Sequence, residues 1–346
     1  MSTRKTPAVT TAIVLAALLA GCANGGADEE QPEGEGEVES QTLRMAIGDP
    51  AASSVGVTAD HFAEEVAERT GGSIEIETHP DGTLFGGDQN AAVNLLGNGT
   101  LDCTIISTSV YASFDARMNA MSLPYLFDDE EQFTEYLQGE PGQELLDSLE
   151  SEGIKGIQML TRTPRHITNS VRPIEEPSDL DGITIRVPQN ELWVNFFGSL
   201  GANPTPMDFT EVYTALQTGT IDAQENPLEV PVNNRFFEVQ DYLSLTEHIR
   251  DGYVLGCNQD LWESLEAEQQ EAMTEAAENT FEFRIEDDQR DVEETLASLE
   301  EEGVNVNELT SEAKQEFQDA AEEVYPQFSS LVGEEFFETT LEYVGR

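Results

Sequence analysis

Residues 181–228, DGITIRVPQNELWVNFFGSLGANPTPMDFTEVYTALQTGTIDAQENPL, switch between two hydrophobic periods, and that switch decides the fold class. Ile183–Val187 alternates as a strand, so Arg186 points to the opposite face from Ile185 and Val187. Helical patterns follow over Glu191–Leu200 and Thr210–Gly219, with a Pro-rich turn between them and Asp208 placed as N-cap of the second. The stretch ends in a polar segment that reads as a turn, where Asn226 precedes Pro227 and is biased away from helix. An arginine fork and an amide, presented from the ends of separate elements, are equipment for holding a small anion.

The same alternation continues in both directions. Upstream, LRMAIGD (43–49), SIEIETH (73–79) and LDCTIIS (101–107) read as strands, with helices over Val57–Thr70 and Asn90–Gly97 between them. Strands at Ile154–Leu160 and Arg165–Thr168 begin a second strand–helix set, continued by 242–248 and 253–258. Two such sets predict an α/β protein with parallel or mixed sheets flanked by helices. Residues 260–302 favour helix throughout without a proline, which predicts one or two long helices. Two shorter helices are expected over Ala313–Val324 and Phe328–Tyr343.

The chain has 346 residues, enough for about two domains. Its 69 acidic residues against 16 basic ones give a formal net charge of −53, which repels phosphate backbones and excludes nucleic acid as a partner. Self-repulsion of this size is relieved by salt, so the composition points to a salt-adapted, halophilic protein. Cations are scarce, yet Lys155, Arg162, Arg165, Arg172 and Arg186 crowd into one segment. Taken singly, each is read first as the partner of a nearby carboxylate. The acidic run Asp128–Glu131 is read as a solvated helix start rather than a cation site.

At the N-terminus, Arg4 and Lys5 precede an apolar run too short to span a membrane, ending in Leu19-Ala20-Gly21-Cys22. Residues 1–21 fit an export signal, and the four residues resemble a bacterial lipobox, with Cys22 the lipidated residue of the mature chain. Residues 22–42, rich in Glu and Gly, read as an acidic flexible linker, with the folded body beginning near Leu43. Cys103 and Cys257 lie in short apolar runs, and the reading favours two buried thiols over a bridge.

Chemistry-bearing motifs are missing. No histidine pairs with another His or a Cys at zinc-ligand spacing, and there is no nucleophile elbow, P-loop or dinucleotide fingerprint. No metal, cofactor or catalytic residue is therefore expected.

Residues 165–228 contain Arg-x-x-Thr-Asn (165–169), Asp-Leu-x-Gly-x-x-Ile-Arg-Val-Pro (179–188) and Gln-Glu-Asn-Pro (224–227), in that order. This combination resembles the solute-binding proteins of tripartite ATP-independent periplasmic (TRAP) transporters, the DctP family, and the likeness runs from Leu43 to the C-terminus. The resemblance implies a two-lobed periplasmic-binding-protein-like fold with a long helix spanning both lobes. It implies lobe boundaries of 43–163 plus 252–291 and 164–251 plus 292–346. It also implies that Arg186 clamps a ligand carboxylate, with Arg165 as a second basic contact and Asn226 as the amide fixing the same carboxylate. Phe209 is implied as an aromatic wall, and Gln89 as a contact to the distal part of the ligand. The expected protein is a monomeric receptor, lipid-anchored through Cys22 on the outer face of the cytoplasmic membrane, that passes a small organic acid to a TRAP permease. A binding protein of an ATP-driven importer and a secreted hydrolase are the competing readings.

Overall fold

Eleven strands form two mixed sheets in a computed structural model that describes residues 41–346. The expected signal segment, Cys22 and all but the end of the linker lie outside the described residues. The strands are β1 (Gln41–Ile47), β2 (Ile74–His79), β3 (Cys103–Ser107), β4 (Ile154–Leu160), β5 (Arg165–Asn169) and β6 (Thr184–Val187). They continue with β7 (Asn203–Pro206), β8 (Ala223–Pro227), β9 (Tyr242–Leu245), β10 (Tyr253–Asn258) and β11 (Asn305–Glu308). The first sheet has the order β2-β1-β3-β10-β4, and the second β11-β9-β5-β8-β6-β7. β1 begins at Gln41, two residues before the expected start of the body, because Gln41 and Thr42 pair with Ile74 and Glu75 of β2.

The chain passes from one sheet to the other three times. Residues 161–164 join β4 to β5, residues 246–252 join β9 to β10, and the helix Ala267–Glu301 runs from the end of the first sheet to β11 of the second. That helix packs on the helix Ser54–Arg69, on β4 and on the short helix Glu229–Asn233. The expected long helical segment thus divides into Gln259–Ser264 and one 35-residue helix.

Four expectations are corrected. The polar segment 223–227 is a central strand rather than a turn: all five residues are buried, and β8 pairs antiparallel with β5 and parallel with β6. The expected gap between two C-terminal helices is absent, since Ser311–Val332 is one helix with Pro326 inside it. A proline interior to a helix costs roughly 3 kcal/mol. Here Phe317, Ala321, Val324, Tyr325, Phe328 and Val332 are buried along its face, and that burial offsets the loss. Cys103 and Cys257 are bridged, because β3 and β10 run antiparallel with these two residues in register. Asp208 stands at the N-cap position of the helical turn Phe209–Glu211 without a side-chain cap bond; its Oδ1 accepts from Gln189 Nε2 instead. The acidic run does act as a helix start: Asp129 caps Glu130–Gln138 by accepting from the Gln132 amide. No described helix is long and apolar enough to cross a membrane.

Candidate functional site: a cleft between the two sheets

Arg186, Asn226, Arg165, Phe209 and Gln89 line one cleft. It is walled by the C-terminal ends of β1 and β3 and by the segments after β6 and β8, and encloses a cavity of about 60 Å³. Strand ends of open α/β sheets are the usual place for ligands, because loops there can turn side chains inward without disturbing the sheet.

The five clustered cations have separate fates. Lys155 faces Glu150 at 3.6 Å on the surface, and Arg172 donates to the main-chain carbonyls of Asp179 and Asp181. Arg162 reaches Ser107 Oγ at 3.1 Å and Asp251 Oδ2 at 3.2 Å, and stacks 4.3 Å above the Tyr253 ring. Arg165 is almost entirely committed. Its Nε donates to Glu225 Oε2 at 2.6 Å, one terminal nitrogen to Asp251 Oδ2 at 3.2 Å, and the other to Glu225 Oε1 at 2.8 Å and Asn226 Oδ1 at 3.1 Å. Burial opposes the charge on Glu225, but Arg165 and His248 Nε2, which donates at 3.1 Å, hold its carboxyl down at about 2. Burial lowers the pKa of His248 itself, with Glu225 opposing.

Arg186 is the exception. It is 5% exposed, and among the described residues no carboxylate lies within 4.0 Å of it. Nε and one terminal nitrogen converge on the Met207 carbonyl at 3.1 and 2.8 Å, leaving three N–H groups without a partner among the described residues. Burial pushes its pKa down to about 10, and neighbouring Arg165 adds to that shift while Glu225 and Asp208 oppose it. A buried guanidinium short of counter-charge has the chemistry to take up an anion. The half-buried Phe209 ring lies 5.9 Å from Arg186 Cζ.

Asn226 is held in one orientation by a chain of hydrogen bonds. Its Oδ1 accepts from Arg165, and its Nδ2 donates to Gln224 Oε1 at 2.6 Å. Gln224 donates to Thr168 at 2.8 Å, and Thr168 to Gln240 at 3.1 Å. One amide hydrogen of Asn226 stays uncommitted. Gln89 opens the helix Gln89–Gly97, and a side chain at Gly48 would approach its Nε2 to 3.0 Å, so the glycine leaves room for the amide.

Sequence reasoning missed Asp49, Ser107, Ser109 and Tyr253 as lining residues, and treated Arg162 only as one of a cluster. The available signal was position, since Asp49 follows β1 and Ser107 ends β3, both at strand C-termini. No described group of His, Cys, Asp and Glu is arranged to hold a metal ion.

Comparison with known proteins identifies the family. Residues 45–331 match the model of the bacterial extracellular solute-binding proteins, family 7 (DctP). The chain is 33% identical over 280 residues to the 2,3-diketo-L-gulonate-binding periplasmic protein of Escherichia coli, covering 81% of this chain and 84% of that one. It is 29% identical over 288 residues to the C4-dicarboxylate-binding protein DctB of Bacillus subtilis, covering 83% and 82%. The crystal structure of the sugar acid binding protein from Advenella mimigardefordensis in complex with galactonate superposes with a TM-score of 0.85 at 31% identity, covering 89% of this chain and 99% of that one. These relatives are receptors rather than enzymes, which separates the chain from the hydrolase reading, and the family assignment separates it from the ATP-driven importers. The chain belongs to family 7 of the bacterial extracellular solute-binding proteins, the DctP family of TRAP-type receptors.

Proposed function

We propose that this chain captures a small organic acid outside the cytoplasm by clamping its carboxylate on Arg186, and delivers it to a TRAP membrane permease. Arg186 carries the reading, as a buried guanidinium in the cleft whose charge has no carboxylate partner among the described residues. A ligand carboxylate supplies the missing counter-charge, Asn226 contributes its free amide hydrogen, and Phe209 closes one wall. Arg165 offers one remaining N–H, and Gln89 meets the distal part of the ligand.

In this reading the lobes are 43–163 with 252–291, and 164–251 with 292–346, and they close about 161–164 and 246–252. Ligand drives closure because Gln89 comes from one lobe and Arg186 from the other, so only the closed state makes both contacts. Cleavage after residue 21 and lipidation of Cys22 would tether a single receptor by the acidic segment 22–42 to the outer face of the cytoplasmic membrane. The net charge of −53 suits a salt-rich habitat.

The test is Arg186→Ala, titrated with a panel of organic acids by calorimetry in molar salt. Losing one partner of a desolvated charge pair costs about 2–5 kcal/mol, so binding should fall by at least about thirtyfold while the variant stays folded. Affinity within a few-fold of the wild type overturns the role of Arg186.

A further inference from the structure

The chain holds one Asn-x-Ser/Thr sequence without a proline in the middle, Asn98-Gly99-Thr100; Asn203-Pro204-Thr205 is ruled out by its proline. Asn98 is the C-cap of the helix Gln89–Gly97, and all three residues are exposed on the way to β3. Such a three-residue match is common by chance, so the fold around it decides what it is worth.

The turn is fixed. Gly99 takes φ 76°, in the left-handed region that glycine adopts without a side-chain penalty. The amides of Asn98, Gly99 and Thr100 donate to the carbonyls of Asn94, Leu96 and Leu95 at 3.1, 3.1 and 2.8 Å. Thr100 also turns back on Asn98: its amide and its hydroxyl both donate to Asn98 Oδ1, at 3.0 and 2.6 Å. The Thr100 carbonyl accepts from Arg44 at 2.8 Å. Nδ2 of Asn98 is then the one side-chain polar atom of the tripeptide without a hydrogen-bond partner among the described residues.

This turn lies away from the cleft. Gln89 opens the nine-residue helix in the cleft wall and Asn98 closes it, roughly 13 Å along the axis. Residues 98–100 likewise lead into the start of β3 at Cys103, whereas Ser107, at its other end, lines the cleft. Beside Asn98 runs an open groove of about 310 Å³, lined by Val93, Asn94, Gly97, Phe114 and Glu152. Phe114 is half-buried, which gives a sugar attached at Asn98 an aromatic wall to lie against.

We propose that Asn98 is an N-glycosylation site, to which a membrane transferase outside the cytoplasm moves an oligosaccharide from a lipid-phosphate carrier. The anomeric carbon forms its new bond to Nδ2 as its bond to the phosphate oxygen breaks. The lipid phosphate leaves with that electron pair, and the amide proton passes to a base of the transferase. The turn supplies what an acceptor needs: an unpaired carboxamide nitrogen, a hydroxyl two residues on, and exposure. The extracellular location of the family supplies access to the carrier. A glycan adds hydrated bulk without adding to the net charge of −53, and at this end of β3 it leaves the cleft open. Deamidation, the other chemistry open to Asn-Gly, is opposed here. It needs the Gly99 nitrogen to attack the Asn98 side-chain carbonyl, and that amide is committed to Leu96.

Mass spectrometry of the protein isolated from the cells that make it tests this. The proteolytic peptide containing residues 98–100 should carry sugar on Asn98. The sugar should vanish in Thr100→Ala, which keeps the asparagine and removes only the hydroxyl, and persist in Thr100→Ser, with thermal unfolding to confirm that both variants fold. A bare wild-type peptide, deamidation as its only change, or a sugar retained in Thr100→Ala overturns the proposal. The wild-type peptide decides even if Thr100→Ala does not fold, and none of these outcomes bears on Arg186.

Discussion

Arg165 on β5 and Arg186 on β6 flank the same strand, β8, are buried to 2% and 5% exposure, and line the same cleft, yet they live under opposite conditions. Arg165 meets Glu225 and Asp251 within 3.2 Å, and its pKa stays above the ordinary arginine value because those two carboxylates outweigh burial. Arg186 meets only a main-chain carbonyl, and burial wins. A buried cation that is already paired holds the protein together, and one that is not has donors to spare for an anion from outside the chain. Burial and strand position do not distinguish the two; the counter-charge does.

The comparison breaks most readily at Arg165. Arg165→Ala leaves Glu225 with only His248 and Asp251 with only Arg162 and Ser107, and removing one partner of a buried pair costs about 3–5 kcal/mol. Unfolding by urea in molar salt should show that loss, whereas Arg186→Ala should leave stability within about 1 kcal/mol, since it removes a charge that folding had desolvated without pairing. Equal destabilisation by the two substitutions would mean that Arg186 is as structural as Arg165.

Acid should act on the same pair with nearly the same size. Burial raises the Glu225 carboxyl, but Arg165 and His248 more than reverse this, leaving it at about 2 against an ordinary 4.5. A depressed carboxyl contributes stability that is present above the unfolded value and lost as pH falls from about 4.5 towards 2. The full contribution is on the order of 3 kcal/mol. In Glu225→Gln the stability between pH 5 and 3 should therefore fall less steeply than in wild type, as followed by unfolding at each pH. An unchanged slope would place the acid-sensitive group elsewhere.

This contrast explains how far the sequence could be read. The strand–helix order, β10 at 253–258 and the five cleft residues follow from local periodicity or from a motif that travels with its family. Strand β8 did not, because Gln224, Glu225 and Asn226 are depleted in strands, and what buries them is Arg165, about sixty positions away, together with Thr168 and Gln240. The bridge between Cys103 and Cys257 was hidden for the same reason, being decided by the antiparallel register of β3 and β10 across 154 residues. Asp49 carries no local mark at all, and its place in the cleft is visible only once the neighbours are folded around it.

The smallest effect is the sharpest test of the comparison. Most of the acidic side chains among the described residues are not buried, and molar salt shortens the screening length to about 3 Å, so their mutual repulsion should be largely removed. Glu225 and Asp251 are fully buried, and their attraction to Arg165 is out of reach of that screening. Wild type and Arg165→Ala should thus both gain stability from low to molar salt, with the gap between their unfolding free energies constant to within about 0.5 kcal/mol. A gap that closes in salt would mean that the pair is open to solvent ions, and the contrast between Arg165 and Arg186 would then disappear. A wild-type stability that does not rise with salt would refute the salt-adapted reading of the surface while leaving the two arginines as they are.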